Sequence, residues 1–129
     1  MSQNTDKKRA WSDKFGDAFR GCFLAVRGQS SFSVHFVMAA VVVIAAIFFR
    51  VNLWEWCILL LCVTFVLSAE TFNSSIESMA KAVDTNHNPE LGRALDMASA
   101  AVLVASIGAA IVGAIVFIYR LGVWLTWWA

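Results

Sequence analysis

Residues 97–119 read M-A-S-A-A-V-L-V-A-S-I-G-A-A-I-V-G-A-I-V-F-I-Y, contain no Asp, Glu, Lys or Arg, and end at Arg120. As a helix, this segment is long enough to cross a hydrocarbon core of about 30 Å. A helix also satisfies its backbone hydrogen bonds internally, which lipid requires because it offers no partners. The stretch therefore predicts a transmembrane helix, and with it an all-α membrane protein.

Two further apolar segments precede it in the chain. Residues 32–49 carry no Asp, Glu, Lys or Arg, and residues 51–69 carry only Glu55, near their start. The break around residues 50–52 is tight, whereas residues 84–89 form a polar loop that contains the only proline. The sequence thus predicts three spans: about 32–49, about 53–82 including a cytoplasmic extension, and about 90–120.

The overall composition indicates the same class. The 129 residues are 60% hydrophobic and 15% charged, against about 25% charged in a soluble domain. One domain of this size has too small a core to bury so much apolar surface. The net charge is +1 and no long basic block alternates with aromatics, which argues against nucleic acid as a partner. The three cysteines lack the spacing of a metal or redox site and are interpreted as small hydrophobic residues.

The N-terminal part has a different pattern. Residues 1–14 are assigned to a polar tail and residues 15–29 to an amphipathic helix, in which Phe15 and Phe19 recur at helical spacing. This helix is predicted to lie at the membrane interface; the alternative is a solvent-exposed helix that packs on another chain. Residues 121–129 are assigned to an aromatic C-terminal tail.

The basic residues are unevenly distributed. Six of the ten Lys and Arg residues precede the first span. Lys81, in the extension of the second span, and Arg93, at the start of the third, lie on the same side, and only Arg50 and Arg120 lie on the other. Cytoplasmic segments carry an excess of Lys and Arg. The asymmetry therefore predicts a multi-pass protein with a cytoplasmic N-terminus and an external C-terminus.

The third span carries a row of small residues at close to i+4 spacing: Ala98, Ala101, Ala105, Ala109 and Gly113. Such a row lets helices approach closely in lipid. Because three spans bury little surface between themselves, the row predicts a homo-oligomer, with packing inside one chain as the alternative.

A polar stripe continues the second span. Residues 69–82 read A-E-T-F-N-S-S-I-E-S-M-A-K-A, and Glu70, Asn73, Ser74 and Glu77 share one face of a helix. Ionisable residues at a membrane boundary are costly and usually functional; the alternative is a wet cytoplasmic extension. One carboxylate can accept a proton from a hydroxyl while the other holds Mg²⁺ on nucleotide phosphates, which suits phosphoryl transfer. A glycine-rich Walker loop and the protein-kinase signature are both absent.

Two residues of the following segment are expected at the same membrane level. Asp96 opens the third span and is predicted to face the stripe across the polar loop. His87 lies in that loop, where it either contacts phosphate or is simply solvated.

Three motifs resemble those of the small bacterial diacylglycerol kinase and undecaprenol kinase family. The run E-T-F-N-S-S-I-E at 70–77 resembles the signature E-x-x-N-[ST]-x-[IV]-E. The run G-R-A-L-D-M-A-S-A-A-V-L at 92–103 resembles G-R-A-K-D-M-G-S-A-A-V-L, and R-G-x-x-x-A-x-R-x-Q-x-S-F-x-V-H at 20–35 resembles the N-terminal block. The resemblance covers nearly the whole hydrophobic body, and it assigns residues 15–120 to one membrane lipid kinase domain.

The resemblance implies a homotrimer in the bacterial plasma (inner) membrane, with three spans and a surface helix per chain. It implies MgATP-dependent phosphorylation of a lipid alcohol, most simply diacylglycerol to phosphatidic acid, at sites between subunits. By matching position, Glu70 would be the general base on the lipid hydroxyl and Glu77 would bind Mg²⁺. The other implied roles are nucleotide binding by Asn73, Glu77, Asp96 and His87, and lipid contact by Ser99.

Three positions depart from the family pattern. Gln29 stands where a second metal-binding glutamate is common and can ligate only without charge. Leu95 replaces a lysine that is expected to contact phosphates, and Lys81 replaces an acidic residue and is a candidate to restore that charge. These departures keep two alternatives open: an undecaprenol kinase, and a non-catalytic protein that retains the fold.

Overall fold

The computed structural model describes residues 8–28, 30–83, 86 and 88–126. Within them the chain is helical, with α1 over Trp11–Gly28, α2 over Ser30–Phe48, α3 over Leu53–Val83 and α4 over Pro89–Trp124. The last three are long and apolar enough to cross a membrane, and α1 is not. The predicted class, three spans preceded by an amphipathic helix, is confirmed.

The amphipathic helix α1 buries none of its residues. Its aromatic side chains remain exposed, with Phe15 and Phe19 among them. The Lys14 ammonium lies 4.4 Å from the centre of the Trp11 ring, so one cation sits over the apolar face. An exposed aromatic face flanked by cations is typical of a helix that lies in the lipid headgroup region.

The break between α2 and α3 is compact because both helix ends are capped. Arg50 adopts a left-handed conformation with φ of 50°. The N–H of Val51 donates to the Ala46 carbonyl over 3.2 Å, and the Arg50 N–H to that of Ile47, which is a Schellman ending. Asn52 then begins α3, since its Oδ1 accepts from the Glu55 N–H while Glu55 Oε2 accepts from the Asn52 N–H, both over 2.9 Å.

The fourth helix begins with an equally clear signal. Asn88 Oδ1 accepts hydrogen bonds from the N–H groups of Glu90 and Leu91, and Pro89 occupies the first turn. The only proline of the chain therefore starts a helix instead of ending one.

The core lies at the end of the bundle where α2 turns into α3, around Ala46, Val51, Leu59 and Val116. Beside it, Arg120 binds Glu55 in a two-point ion pair, with Nε at 2.7 Å and an Nη nitrogen at 2.5 Å from Oε2. Both side chains are more than four-fifths buried. This pair fastens α4 to α3 beside the turn between α2 and α3.

The small residues in the row on α4 differ in how closely the rest of the chain packs against them. Ala105 is buried, whereas a Cβ added at Gly113 would meet no atom within 4 Å. Packing within the chain therefore accounts for part of the row only.

Candidate functional site

Glu70 is the most deeply buried polar residue of the bundle, with 2% of its surface exposed. Its two carboxyl oxygens both face α2. The Ser31 hydroxyl donates to Oε1 over 2.5 Å, and His35 Nε2 lies 3.4 Å from Oε2. Because the partners stand four residues apart on one helix, a single face of α2 covers the carboxyl group.

A second set of contacts lies one to two turns further along α3. Asn73 Nδ2 donates to Glu77 Oε1 over 3.0 Å, and the Ser99 hydroxyl of α4 donates to Asn73 Oδ1 over 3.5 Å. The Asn73 amide thus donates through its nitrogen within α3 and accepts through its oxygen from α4, so it links the two helices. Glu77 is half-buried, and its Oε2 has no hydrogen-bond partner among the described residues.

The electrostatics of this region are unbalanced. Glu70 and Glu77 lie about 10 Å apart along the helix axis. Across residues 8–28, 30–83, 86 and 88–126, no Lys or Arg forms an ion pair with either of them. Ser74, between them on the same face, is buried, and its hydroxyl has no partner in the described part of the chain. Such a group of acceptors is suited to receive a hydroxyl proton or a cation.

An apolar groove lies beside the contacts of Glu70. It has a volume of about 490 Å³ and is formed by α2, α3 and α4. Its lining includes His35 and Phe117 but neither Glu70 nor Ser31. The groove therefore meets the Glu70 site through the His35 ring, whose Nε2 lies 3.4 Å from Glu70 Oε2.

The predicted site residues fall into three groups. Glu70, Asn73, Glu77 and Ser99 lie together where the C-terminal half of α3 meets the first turns of α4. Asp96 is exposed and forms no hydrogen bond or ion pair with the described residues, so its predicted position facing the stripe stays a prediction. Gln29 and His87 lie outside the described residues.

The structure describes Lys81 and Leu95, two of the three positions that depart from the family pattern. Lys81 is exposed and forms no ion pair with any described residue. The described contacts therefore do not test whether Lys81 supplies the charge of the family's lysine, whose position Leu95 occupies. Arg93 pairs with Glu90 over 3.2 Å on the exposed first turn of α4.

Two contacts of the site were not predicted from sequence. His35 received no role, and Ser31 was not singled out, yet both bind Glu70. Their i, i+4 spacing was an available signal, since it places two polar side chains on one face of an otherwise apolar helix.

The family of the chain follows from its match to a known family model. The model described as prokaryotic diacylglycerol kinase matches residues 16–117. The chain belongs to this family. No individual curated protein matches it significantly.

Members of the prokaryotic diacylglycerol kinase family are lipid kinases, so the chain is a multi-pass membrane kinase of the diacylglycerol or undecaprenol kinase type that uses ATP. The matched residues include the whole of α2 and α3 and most of α4. The polar contacts around Glu70, Asn73 and Glu77 therefore lie inside the kinase family's matched region.

Proposed function

We propose that this kinase transfers the γ-phosphoryl group of ATP to diacylglycerol at the cytoplasmic membrane surface, producing phosphatidic acid. One observation carries the proposal: the buried Glu70 carboxyl group accepts a hydrogen bond from a hydroxyl over 2.5 Å, and its other neighbour, His35, lines an apolar groove. A lipid alcohol offers those same two parts, a hydroxyl and a hydrocarbon chain.

In this reaction Glu70 acts as the general base. The lipid hydroxyl gives its proton to a Glu70 oxygen as its own oxygen bonds to the γ-phosphorus. The bond between that phosphorus and the β,γ-bridging oxygen breaks, and ADP leaves with the electron pair. A positioned base of this kind contributes about 10²–10⁴-fold to the rate.

Glu77 and its neighbours are proposed to hold the nucleotide. Mg²⁺ bound to ATP is commonly held by one or two carboxylates together with phosphate oxygens, and the unpartnered Oε2 of half-buried Glu77 fits that requirement. Bound there, Mg²⁺ would offset charge on the phosphates. Gln29 is proposed as a second, uncharged ligand, with Asn73, Asp96 and His87 toward the nucleotide.

Ser99 is proposed to lie near the lipid headgroup. Its hydroxyl belongs to an exposed residue of α4 and reaches Asn73 over 3.5 Å, a long hydrogen bond that a substrate oxygen can replace. The proposal thus assigns lipid contact to α4 and proton acceptance to α3.

The kinase is proposed to act as a homotrimer, with sites completed by neighbouring subunits. Two features support this. Asp96 has no described partner in its own chain, and Ala101 of the small-residue row on α4 is exposed and lies outside the lining of the apolar groove. Cross-linking of the purified protein in lipid, read by mass, should give a trimer; a monomer with full activity would contradict this assembly.

The protein is proposed to lie in the bacterial inner membrane with its N-terminus in the cytoplasm. Single cysteines at positions 8, 87 and 128, in a chain whose native cysteines are replaced, test this. An impermeant thiol reagent added to intact cells should label only position 128. Labelling of position 87 from outside would contradict the orientation.

The decisive test of function is transfer of radiolabelled phosphate from ATP to a lipid alcohol by the purified protein in vesicles. Diacylglycerol and undecaprenol are supplied separately. Labelled phosphatidic acid is expected, and labelling of undecaprenol alone would reassign the acceptor. Since Leu95 and Gln29 remove charges at the nucleotide, the second candidate is a non-catalytic relative. No transfer by the correctly folded protein to either lipid would favour it.

A further inference from the structure

The Ser31 hydroxyl occupies the place that the acceptor hydroxyl needs. It is a primary alcohol, as is the reacting group of diacylglycerol, and it donates to Glu70 Oε1 over 2.5 Å. This is the contact that a general base makes with the hydroxyl it deprotonates.

Within the described part of the chain, Glu70 is almost closed to solvent. The residue is 2% exposed, and its second oxygen faces His35 Nε2 at 3.4 Å. Any acceptor must therefore displace one of these two groups. Ser31 is the simpler one to displace, because rotation about a single bond moves its hydroxyl, whereas the His35 ring also lines the groove.

We propose that Ser31 is a specificity-determining residue that stands in for the acceptor alcohol and keeps water away from Glu70. The inference rests on the proposed role of Glu70 as base. It differs from a positioning role, in which Ser31 would only orient the carboxyl group.

The selectivity follows from the binding free energy that each acceptor brings. A hydrogen bond to a charged group is strong, so displacing Ser31 has a substantial cost. A lipid alcohol offsets that cost by placing its hydrocarbon chain in the apolar groove of about 490 Å³. Water has no such chain, so it does not displace Ser31 and ATP is not hydrolysed without lipid.

The test compares ATP hydrolysis in vesicles that contain no lipid alcohol with phosphorylation of short-chain diacylglycerol. Ser31→Ala should raise lipid-free hydrolysis about tenfold and lower the KM for diacylglycerol by a similar factor, since about 1.4 kcal/mol corresponds to tenfold. Ser31→Thr keeps a hydroxyl and should show less lipid-free hydrolysis than Ser31→Ala. Ser33→Ala is the matched control, because Ser33 is exposed on the same helix and makes no described contact.

Two further variants keep the test valid if Ser31→Ala misfolds and check that Glu70 is the base that activates water. Ser31→Cys is nearly isosteric and a weaker donor, so it should raise hydrolysis in the same direction even if Ser31→Ala is unstable. Adding Glu70→Gln to Ser31→Ala should return hydrolysis to background, because Glu70 would be the base that activates water.

The outcomes separate this inference from the proposed function. If the parent makes phosphatidic acid but neither Ser31→Ala nor Ser31→Cys hydrolyses ATP faster, the kinase assignment stands and the inference is wrong. A lower kcat with unchanged KM and unchanged hydrolysis would show that Ser31 only positions Glu70. If the parent phosphorylates no lipid alcohol, both proposals fall together.

Discussion

The two ends of the bundle each hold a buried glutamate of α3, in opposite electrostatic settings. Glu55 is bound by the Arg120 guanidinium and also caps its own helix through Asn52. Glu70, about 22 Å away along the same helix, makes polar contacts only with Ser31 and His35 among the described residues.

We interpret the contrast as a structural carboxylate at Glu55 and a proposed reactive one at Glu70. A carboxyl group that is matched by a guanidinium and a backbone N–H has its charge offset inside the fold, so it serves stability. Glu70 has no Lys or Arg partner in the described chain, and its two oxygens meet a hydroxyl and an imidazole instead. Glu77 also lacks such a partner, and its Oε2 accepts from no described residue. Acidic groups buried without a matching cation are costly, and such costs are characteristic of functional sites.

The largest expected effect is that of Glu70→Gln. Loss of the base should lower kcat by about 10²–10⁴-fold with little change in the KM for ATP, since a base acts in the transition state. Initial rates of phosphate transfer to diacylglycerol measure it. The matched control is Glu55→Gln, which should keep the parental kcat. If both variants kept the parental kcat, Glu70 would not be the base, and the difference between the surroundings of Glu55 and Glu70 would be unrelated to catalysis.

Glu77→Gln should lower the rate and raise the Mg²⁺ concentration needed for half-maximal activity, by about tenfold or more. The reason is that a metal ligand holds the ground-state nucleotide as well as the transition state. Even mutation of residues that only hydrogen-bond to a metal ligand lowers metal affinity or activity by about 10–100-fold. Titration with Mg²⁺ at saturating ATP measures the concentration needed for half-maximal activity. Glu90→Gln removes an exposed carboxylate of α4 as the control. An unchanged Mg²⁺ requirement would remove Glu77 from the metal site.

Arg120→Met tests the other end and should affect stability more than rate. It leaves the mostly buried Glu55 without its cation, at a cost of about 1–3 kcal/mol, between the values for exposed and buried pairs. Thermal unfolding in detergent should show a lower Tm, with kcat per folded protein retained. The double variant Glu55→Gln with Arg120→Met should recover part of the loss. Loss of kcat in a fully folded Arg120→Met protein would contradict the division of roles.

The smallest expected effect is that of Gln29→Glu, which adds a charged ligand beside the proposed metal. The Mg²⁺ requirement should fall a few-fold, opposite in direction to Glu77→Gln, because ligand charge tunes affinity for hard cations. The same titration measures it, with Ser33→Ala as a neutral control on α2. A rise in the Mg²⁺ requirement would place residue 29 away from the metal.

Much of the fold could be predicted because its signals are local. Uninterrupted apolar runs predict the spans, and the capping residues Asn52 and Asn88 stand directly at the starts of α3 and α4. The stripe of Glu70, Asn73 and Glu77 could also be predicted, since helical spacing alone places them on one face. The hydrogen bond from Asn73 to Glu77 is a contact within that stripe.

The sequence by itself determined the number of spans, the amphipathic first helix and the polar face of α3, because each depends on residues near one another in the chain. Only the tertiary structure decided that Ser31 and His35 cover Glu70 and that Arg120, 65 residues away in sequence, neutralises Glu55. Those pairings depend on how each helix is rotated about its axis and at what height it meets its neighbour. Packing of the whole bundle sets both quantities, and no local pattern contains them.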